Sequence, residues 1–191
     1  MKKFIVLLMI APLAGCLEND PQLMDSNDIQ SFNFALDFAQ IAPVARVSGV
    51  TGSASYTGQV GMEVSEANSG MKGNVIGDAQ FDVNFDDNSV KGSFDEMILG
   101  TAKGSTSYVT GALAVDAVMA GSTFGGSLKG TIGIEIEGDA QQVDVDLQTF
   151  GQFHGYSLVS APADLIGSAT GSSTGDAIVS FDSILYYGST D

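Results

Sequence analysis

One cysteine, one histidine, one arginine and no tryptophan occur in 191 residues. A lone cysteine, Cys16, rules out an internal disulfide framework. A lone histidine, His154, has no second imidazole or spare thiolate to complete a zinc site, so it reads as an ordinary residue at a strand end and no metal is expected. Basic residues are scarce too, 7 against 23 acidic ones, for a formal charge of −16. A surface of that sign repels phosphate backbones and bare anionic bilayers, which excludes nucleic acid as a partner. The acidity reads as a soluble exterior that would at most steer a basic partner or cations. Only 4 prolines are present, none lies between Pro43 and Pro162, and no Pro- or Ser-rich linker follows residue 48. One domain is therefore expected, long enough to bury roughly 70% of its unfolded surface.

Long apolar runs are also missing. The longest useful one, Phe4 to Pro12 (FIVLLMIAP), is shorter than the about 20 residues a spanning helix needs. Lys2 and Lys3 precede it and Leu13-Ala14-Gly15-Cys16 follows, the order of a bacterial lipoprotein signal peptide with its lipobox. Residues 1–15 read as the removed signal, and Cys16 as the acylated first residue of the mature chain, carrying palmitate-class chains. Lipid chains contribute about 0.8 kcal/mol per buried methylene, so two or three hold a protein on a membrane without a spanning segment. Leu17, rather than Asp, follows the cysteine, which by the usual sorting rule points to the outer membrane, facing either way. Removal of Lys2 and Lys3 makes the mature chain two units more negative. Residues 16–30, polar and acidic with Pro21, read as a flexible tether.

From residue 54 onward the sequence has period two. Tyr56, Gly58, Val60, Met62 and Val64 alternate with Thr57, Gln59, Gly61 and Glu63. Val75 to Phe85 repeats the pattern, an Asp86-Asp87-Asn88 turn follows, and Val90 to Phe94 completes the clearest hairpin signal. Further alternating runs cover 109–119, 128–136, 143–147, 165–169 and 177–187, separated by Gly/Ser/Asn/Asp clusters. Neighbouring antiparallel strands, eight in number, each with one apolar face, close most simply into an up-and-down β-barrel without open edges. A sandwich would show shorter strands with turns every 8–12 residues. A transmembrane barrel would show aromatic girdles and tall apolar bands, so the apolar rows, among them Phe81, Phe85, Leu113, Ile134 and Val145, are expected to fill a soluble barrel of residues 49–191. Residues 31–48 begin ambiguously: Phe34, Phe38 and Ile41 suit a helix, Phe32, Phe34, Leu36 and Phe38 suit a strand, and either would cap a barrel mouth.

Several chemical motifs dissolve on inspection. Gly171-Ser172-Ser173-Thr174-Gly175 matches a nucleophile elbow, but that motif needs a strand before it and a helix after it; here it lies in a turn between strands. Asp86, Asp87 and Asn88, and likewise Asp144 and Asp146, offer hard oxygens without the spacing of a calcium loop. Glu135 and Glu137 form a carboxylate pair, yet on an outward strand face nothing would raise one pKa for acid catalysis. No enzymatic activity and no cofactor are expected. Gly-Asp-Ala-Gln recurs at 77–80 and 138–141, each time before an alternating strand.

Tyr56-Thr57-Gly58-Gln59-Val60-Gly61 resembles the first-strand Y-x-G-x-x-G of transferrin-binding-protein-B-like surface lipoproteins, the group that includes factor H-binding protein. Asp82-Val83-Asn84-Phe85 with Val90-Lys91-Gly92-Ser93-Phe94 resembles the family's next hairpin. Gly151 to Gly155 followed by Ala163-Asp164-Leu165-Ile166-Gly167 resembles its F-x-G and A-x-E-L-x-G segments, with Asp164 where Glu is usual. The resemblance spans about residues 54–187. It implies an eight-stranded barrel on an outer-membrane lipoprotein, often surface-displayed, that binds a host protein or an iron source. This chain has one barrel, no second lobe and no room for a full handle domain, and no partner-binding residue of the family carries over. The leading expectation is thus a non-enzymatic binding module for an extracellular protein or iron carrier. A carrier of a small apolar or haem-like ligand comes second, and a structural envelope lipoprotein third.

Overall fold

A computed structural model describes residues 26–66, 72–101, 106–136, 139–155, 161–170 and 179–190. Residues 1–25, with the expected signal peptide and Cys16, lie outside the described residues, as does Gly171–Gly175. The elements are α1 (Ser26–Ile41), β1 (Ser53–Glu66), β2 (Lys72–Asn84), β3 (Ser89–Thr101), β4 (Thr106–Tyr108), β5 (Thr110–Ala120), β6 (Thr123–Ile136), β7 (Asp139–His154), β8 (Asp164–Thr170) and β9 (Val179–Ser189). Every pairing is antiparallel; the order β2-β1-β9-β8-β7-β6-β5-β3 closes through β2–β3. Eight strands therefore form the closed up-and-down barrel that the alternation predicts. β4 is one extra short strand, paired with the far end of β3 and prolonging the ladder of β5.

The two faces of the wall differ in the sense the sequence demands. Phe81, Val83, Leu113, Val115, Leu128, Ile132, Ile134, Val143, Val145 and Leu147 are buried. Asp78, Asp82, Lys91, Asp116, Lys129, Asp144 and Asp146 are exposed on the same strands. An outer wall bearing mid-strand carboxylates suits water rather than hydrocarbon. Among the described residues, no helix is long and apolar enough to cross a membrane.

Aromatic rings fill the interior in two groups. Phe81, Phe94 and Tyr186 meet at centroid distances of 5.2–5.8 Å; nearer one end, Phe153 is ringed by Tyr56, Phe85 and Phe124 at 5.5–6.1 Å. Large rings fit because glycines face them across the strands. Phe124 pairs with Gly151, Phe81 with Gly92 and Tyr186 with Gly167, and a Cβ at Gly151 or Gly167 would be driven into the opposing ring. This is the device by which aromatic residues cover strand glycines where a sheet curls tightly.

β3 runs on past Phe94, where the alternation ends. Asp78 pairs with Asp95 but Ile76 with Ile98, so two residues of β3 oppose one of β2. Glu96, at φ 47°, occupies the bulge. Strict alternation would have turned Glu96 and Ile98 inward; the extra residue reverses the parity, keeps Glu96 in water and buries Met97 and Leu99.

The segment from residue 31 is helical, and the helix starts at Ser26, inside the stretch expected to be a tether. Its position also corrects the expected cap. α1 lies on the outer wall against β1, β8 and β9, with Phe32 over Gly61 and 5.9 Å from Tyr187. The mouth is closed instead by the chain that follows. Ala45 N–H donates to Phe153 O (2.8 Å), Gly155 N–H to Pro43 O (2.9 Å), and Ser122 Oγ to Ala45 O (2.5 Å). Ala45 and Val50 are thereby buried in the core.

Candidate functional site

Two ends of the barrel offer different chemistry. The lower end holds the 85–88 and 121–122 turns, residues 155 and 161–163, and the 42–50 strap. At the upper end the described strands stop at segments 67–71, 102–105, 137–138 and 171–178, which lie outside the described residues.

At the lower end β7 delivers His154 and β8 delivers Asp164 as direct cross-strand partners. His154 is buried and its Nδ1 lies 2.8 Å from the Ala42 carbonyl. A carbonyl only accepts, so Nδ1 carries the hydrogen and the imidazole pins the strap. Asp164 has its pKa raised, first by desolvation, with His154 pulling in the opposite direction. Tyr56 donates from its hydroxyl to Pro162 O (3.0 Å); burial, then the charge of Asp164, pushes its phenol up. Histidine, aspartate and tyrosine are thus brought together, but His154 and Tyr56 serve to fasten chain segments across the mouth, and Asp164 is a partly desolvated carboxyl beside them.

Within the barrel, Tyr186 donates to Thr149 Oγ1 (2.6 Å), which donates on to Ser168 O (3.1 Å). Burial pushes the Tyr186 phenol up as well. With this chain the buried hydroxyls satisfy one another, and the aromatic groups occupy the space around them.

The acidic positions singled out by sequence have local duties. Gly52 N–H donates to Asp86 Oδ1 (3.1 Å), Ser89 N–H to Asp87 Oδ1 (3.0 Å), and Asn84 Nδ2 to Asp87 Oδ2 (3.2 Å). Asp144 accepts from Thr131 Oγ1 (2.7 Å), and Asp146 from Lys129 Nζ (3.0 Å). Glu135 is exposed on the wall, and Glu137 lies outside the described residues. Among the described residues, no group of three or more His, Cys, Asp or Glu side chains is placed to hold a metal ion.

Surface grooves lie on the wall, two of them formed by described residues. One runs beside α1, lined by Ile29, Phe32, Gly61, Glu63, Ile76 and Leu185, with a volume of about 130 Å³. The other, about 210 Å³, lies over Ser53, Ser55, Asp82, Asn84, Ser89 and Lys91. Both fall below the ~300–1,000 Å³ of small-molecule sites. The upper rim carries a different signal. Thr101 Oγ1, Thr106 Oγ1 and Gln141 Oε1 are buried there without a hydrogen-bond partner among the described residues. Sequence reasoning missed all three, because a polar residue at a strand end has no periodicity to mark it.

No family model matches the chain, and no curated protein is significantly similar to it.

Proposed function

We propose that this chain is a lipoprotein anchored through Cys16 to the outer membrane, whose barrel presents its upper rim to an extracellular protein or iron carrier and catalyses nothing. The asymmetry of the two barrel ends carries the reading. One mouth is closed by the 42–50 strap and its hydrogen bonds, while the other bears buried polar atoms without partners among the described residues. Unpaired buried polar groups cost about 1–3 kcal/mol each, so the strand ends at that rim hold hydrogen-bonding capacity that the described residues leave unused. The resemblance to transferrin-binding-protein-B-like barrels supports the same assignment, through the strand motifs that begin at Tyr56 and Gly151.

The aromatic filling of the interior weighs against a carrier that holds an apolar or haem-like ligand inside, since an eight-stranded barrel either packs its lumen or keeps it for one ligand. The test pairs localisation with capture. Cys16→Ser is expected to move the chain from the membrane fraction to the soluble envelope fraction. The acylated chain as bait is expected to retain a partner that replacement of residues 171–178 by a Gly/Ser loop releases. Membrane association unchanged in Cys16→Ser, or a captured set no different from that of boiled bait, would overturn the assignment.

A further inference from the structure

Helix α1 carries two apolar stripes where one is enough to attach it. Phe32, Leu36 and Ala39 are buried against the barrel. Phe34, Phe38 and Ile41 project from the opposite side, 73, 68 and 79% exposed, with the two rings stacked at 6.4 Å. At 3.6 residues per turn these three fall on one narrow arc centred about half a turn from the buried stripe. A helix that rests on a soluble domain normally turns polar residues to water, and here an apolar ridge of two phenylalanines and an isoleucine stands in their place.

We propose that this ridge inserts into the interface of the bilayer that holds the acyl chains of Cys16, so that α1 lies along the membrane surface and sets the barrel's orientation on it. The inference rests on the acylation proposed above. Residues 17–25 separate Cys16 from Ser26, and that length of chain reaches at most about 36 Å when fully extended. The helix is consequently held within reach of the lipid at all times. Tethering makes docking intramolecular, at an effective concentration that reaches the millimolar range for a short linker, so a ridge of three side chains suffices. A second copy of the chain is a poorer occupant: the two phenylalanines bring about 150–250 Å² each, short of the ~800 Å² per partner of a stable protein interface. α1 contains no lysine or arginine and carries Asp28 and Asp37. Insertion rather than charge must hold it, and docking should persist in high salt.

The absence of tryptophan makes the test direct. Phe34→Trp places a single indole on the ridge. Val118→Trp places one on the exposed wall of β5, half the barrel away from β9. Each mature chain, its Cys16 acyl mass checked by mass spectrometry, is reconstituted on phosphatidylethanolamine–phosphatidylglycerol vesicles with and without brominated acyl chains. The Phe34→Trp emission is expected to shift to the blue and to be quenched at least twofold by bromine, while Val118→Trp stays wet and unquenched. An acylated chain whose Phe34→Trp remains wet overturns the docking and leaves the anchor standing. A mature chain without acyl mass overturns both. A blue shift that fades on dilution at fixed lipid, with no bromine quenching, gives the ridge to a second copy and overturns the proposal.

Discussion

Raising the pH should unfold this barrel through two tyrosines. Tyr56 and Tyr186 are fully buried, and their phenols are raised above the ordinary value of 10.0, chiefly by desolvation. An acid whose folded pKa lies above its unfolded one keeps its proton in the folded state while the unfolded chain loses it. Stability is therefore undiminished below pH 10 and falls as the pH rises beyond it. Each such proton gives a slope of about 1.4 kcal/mol per pH unit, so the pair gives about 2.7. Two units of alkalinity would remove about 5 kcal/mol, comparable with the entire stability of a marginal domain at ~5–15 kcal/mol. Tyr187, half-buried and also raised by desolvation, acts in the same direction with weight reduced by solvent. The assay follows tyrosinate absorbance and far-ultraviolet circular dichroism together along one alkaline titration. Cooperative loss of structure should coincide with the late-titrating phenols. Tyr186→Phe leaves Thr149 its bond to Ser168 O and should cut the slope by roughly half. If Tyr186→Phe keeps the full slope, or if both buried phenols ionise near pH 10 within an intact sheet, the burial argument is wrong.

Three further outcomes follow from the same core. Leu128→Ala, at a fully buried site, should lose about 2–5 kcal/mol in denaturant unfolding. Gly151→Val should lose at least about 1–3 kcal/mol by overpacking the Phe124 ring, and the companion change Phe124→Ala should recover part of that loss in a double-mutant cycle. Asp164→Asn should raise stability at neutral pH, because a carboxyl raised by burial is costly to ionise. In the parent chain stability falls as the pH climbs from the ordinary carboxyl value through the raised one; the variant should lack that fall in thermal melts between acid and neutral pH.

The barrel was readable because closure imposes a rule that every strand obeys. Inward residues such as Phe81, Leu113 and Val145 repeat at every second position, and a single slip would put all of them in water. The reading fails where a local event suspends the rule. After Phe94 the bulge at Glu96 exchanges inside for outside, so Met97 and Leu99 stand out of phase and the second half of β3 loses its signature. The 42–50 strap leaves no periodic trace, because Ala45 and Val50 enter the core from irregular backbone held by hydrogen bonds to β7. The His154 imidazole that pins the strap was visible as a residue, but its acceptor, Ala42 O, lies 112 positions away. Thr101, Thr106 and Gln141, whose buried oxygens have no partner among the described residues, are invisible to pattern for the same reason. Polar satisfaction is a property of three-dimensional neighbours, and sequence spacing does not report it.

The ambiguity over residues 31–42 has a physical origin that bears on function. Phe32, Phe34, Leu36 and Phe38 alternate as in a strand, while Phe34, Phe38 and Ile41 recur as on a helix, and α1 is a helix that buries neither set. It packs through Phe32, Leu36 and Ala39. A segment satisfies two incompatible periods only when it holds more apolar residues than a single buried face can use. Phe32, Leu36 and Ala39 were consumed by the barrel wall, and the surplus was left outside as Phe34, Phe38 and Ile41. A helix selected for attachment alone would have replaced that surplus with polar residues at no cost to its packing. With Cys16 acylated as proposed, its retention on a helix separated from that cysteine by only nine residues fits a role at lipid rather than in the stability of the fold. Phe34→Ser/Phe38→Ser should accordingly leave the unfolding free energy of the chain in solution unchanged to within about 0.5 kcal/mol, the range of surface substitutions. A loss of several kcal/mol would assign the ridge to the fold after all.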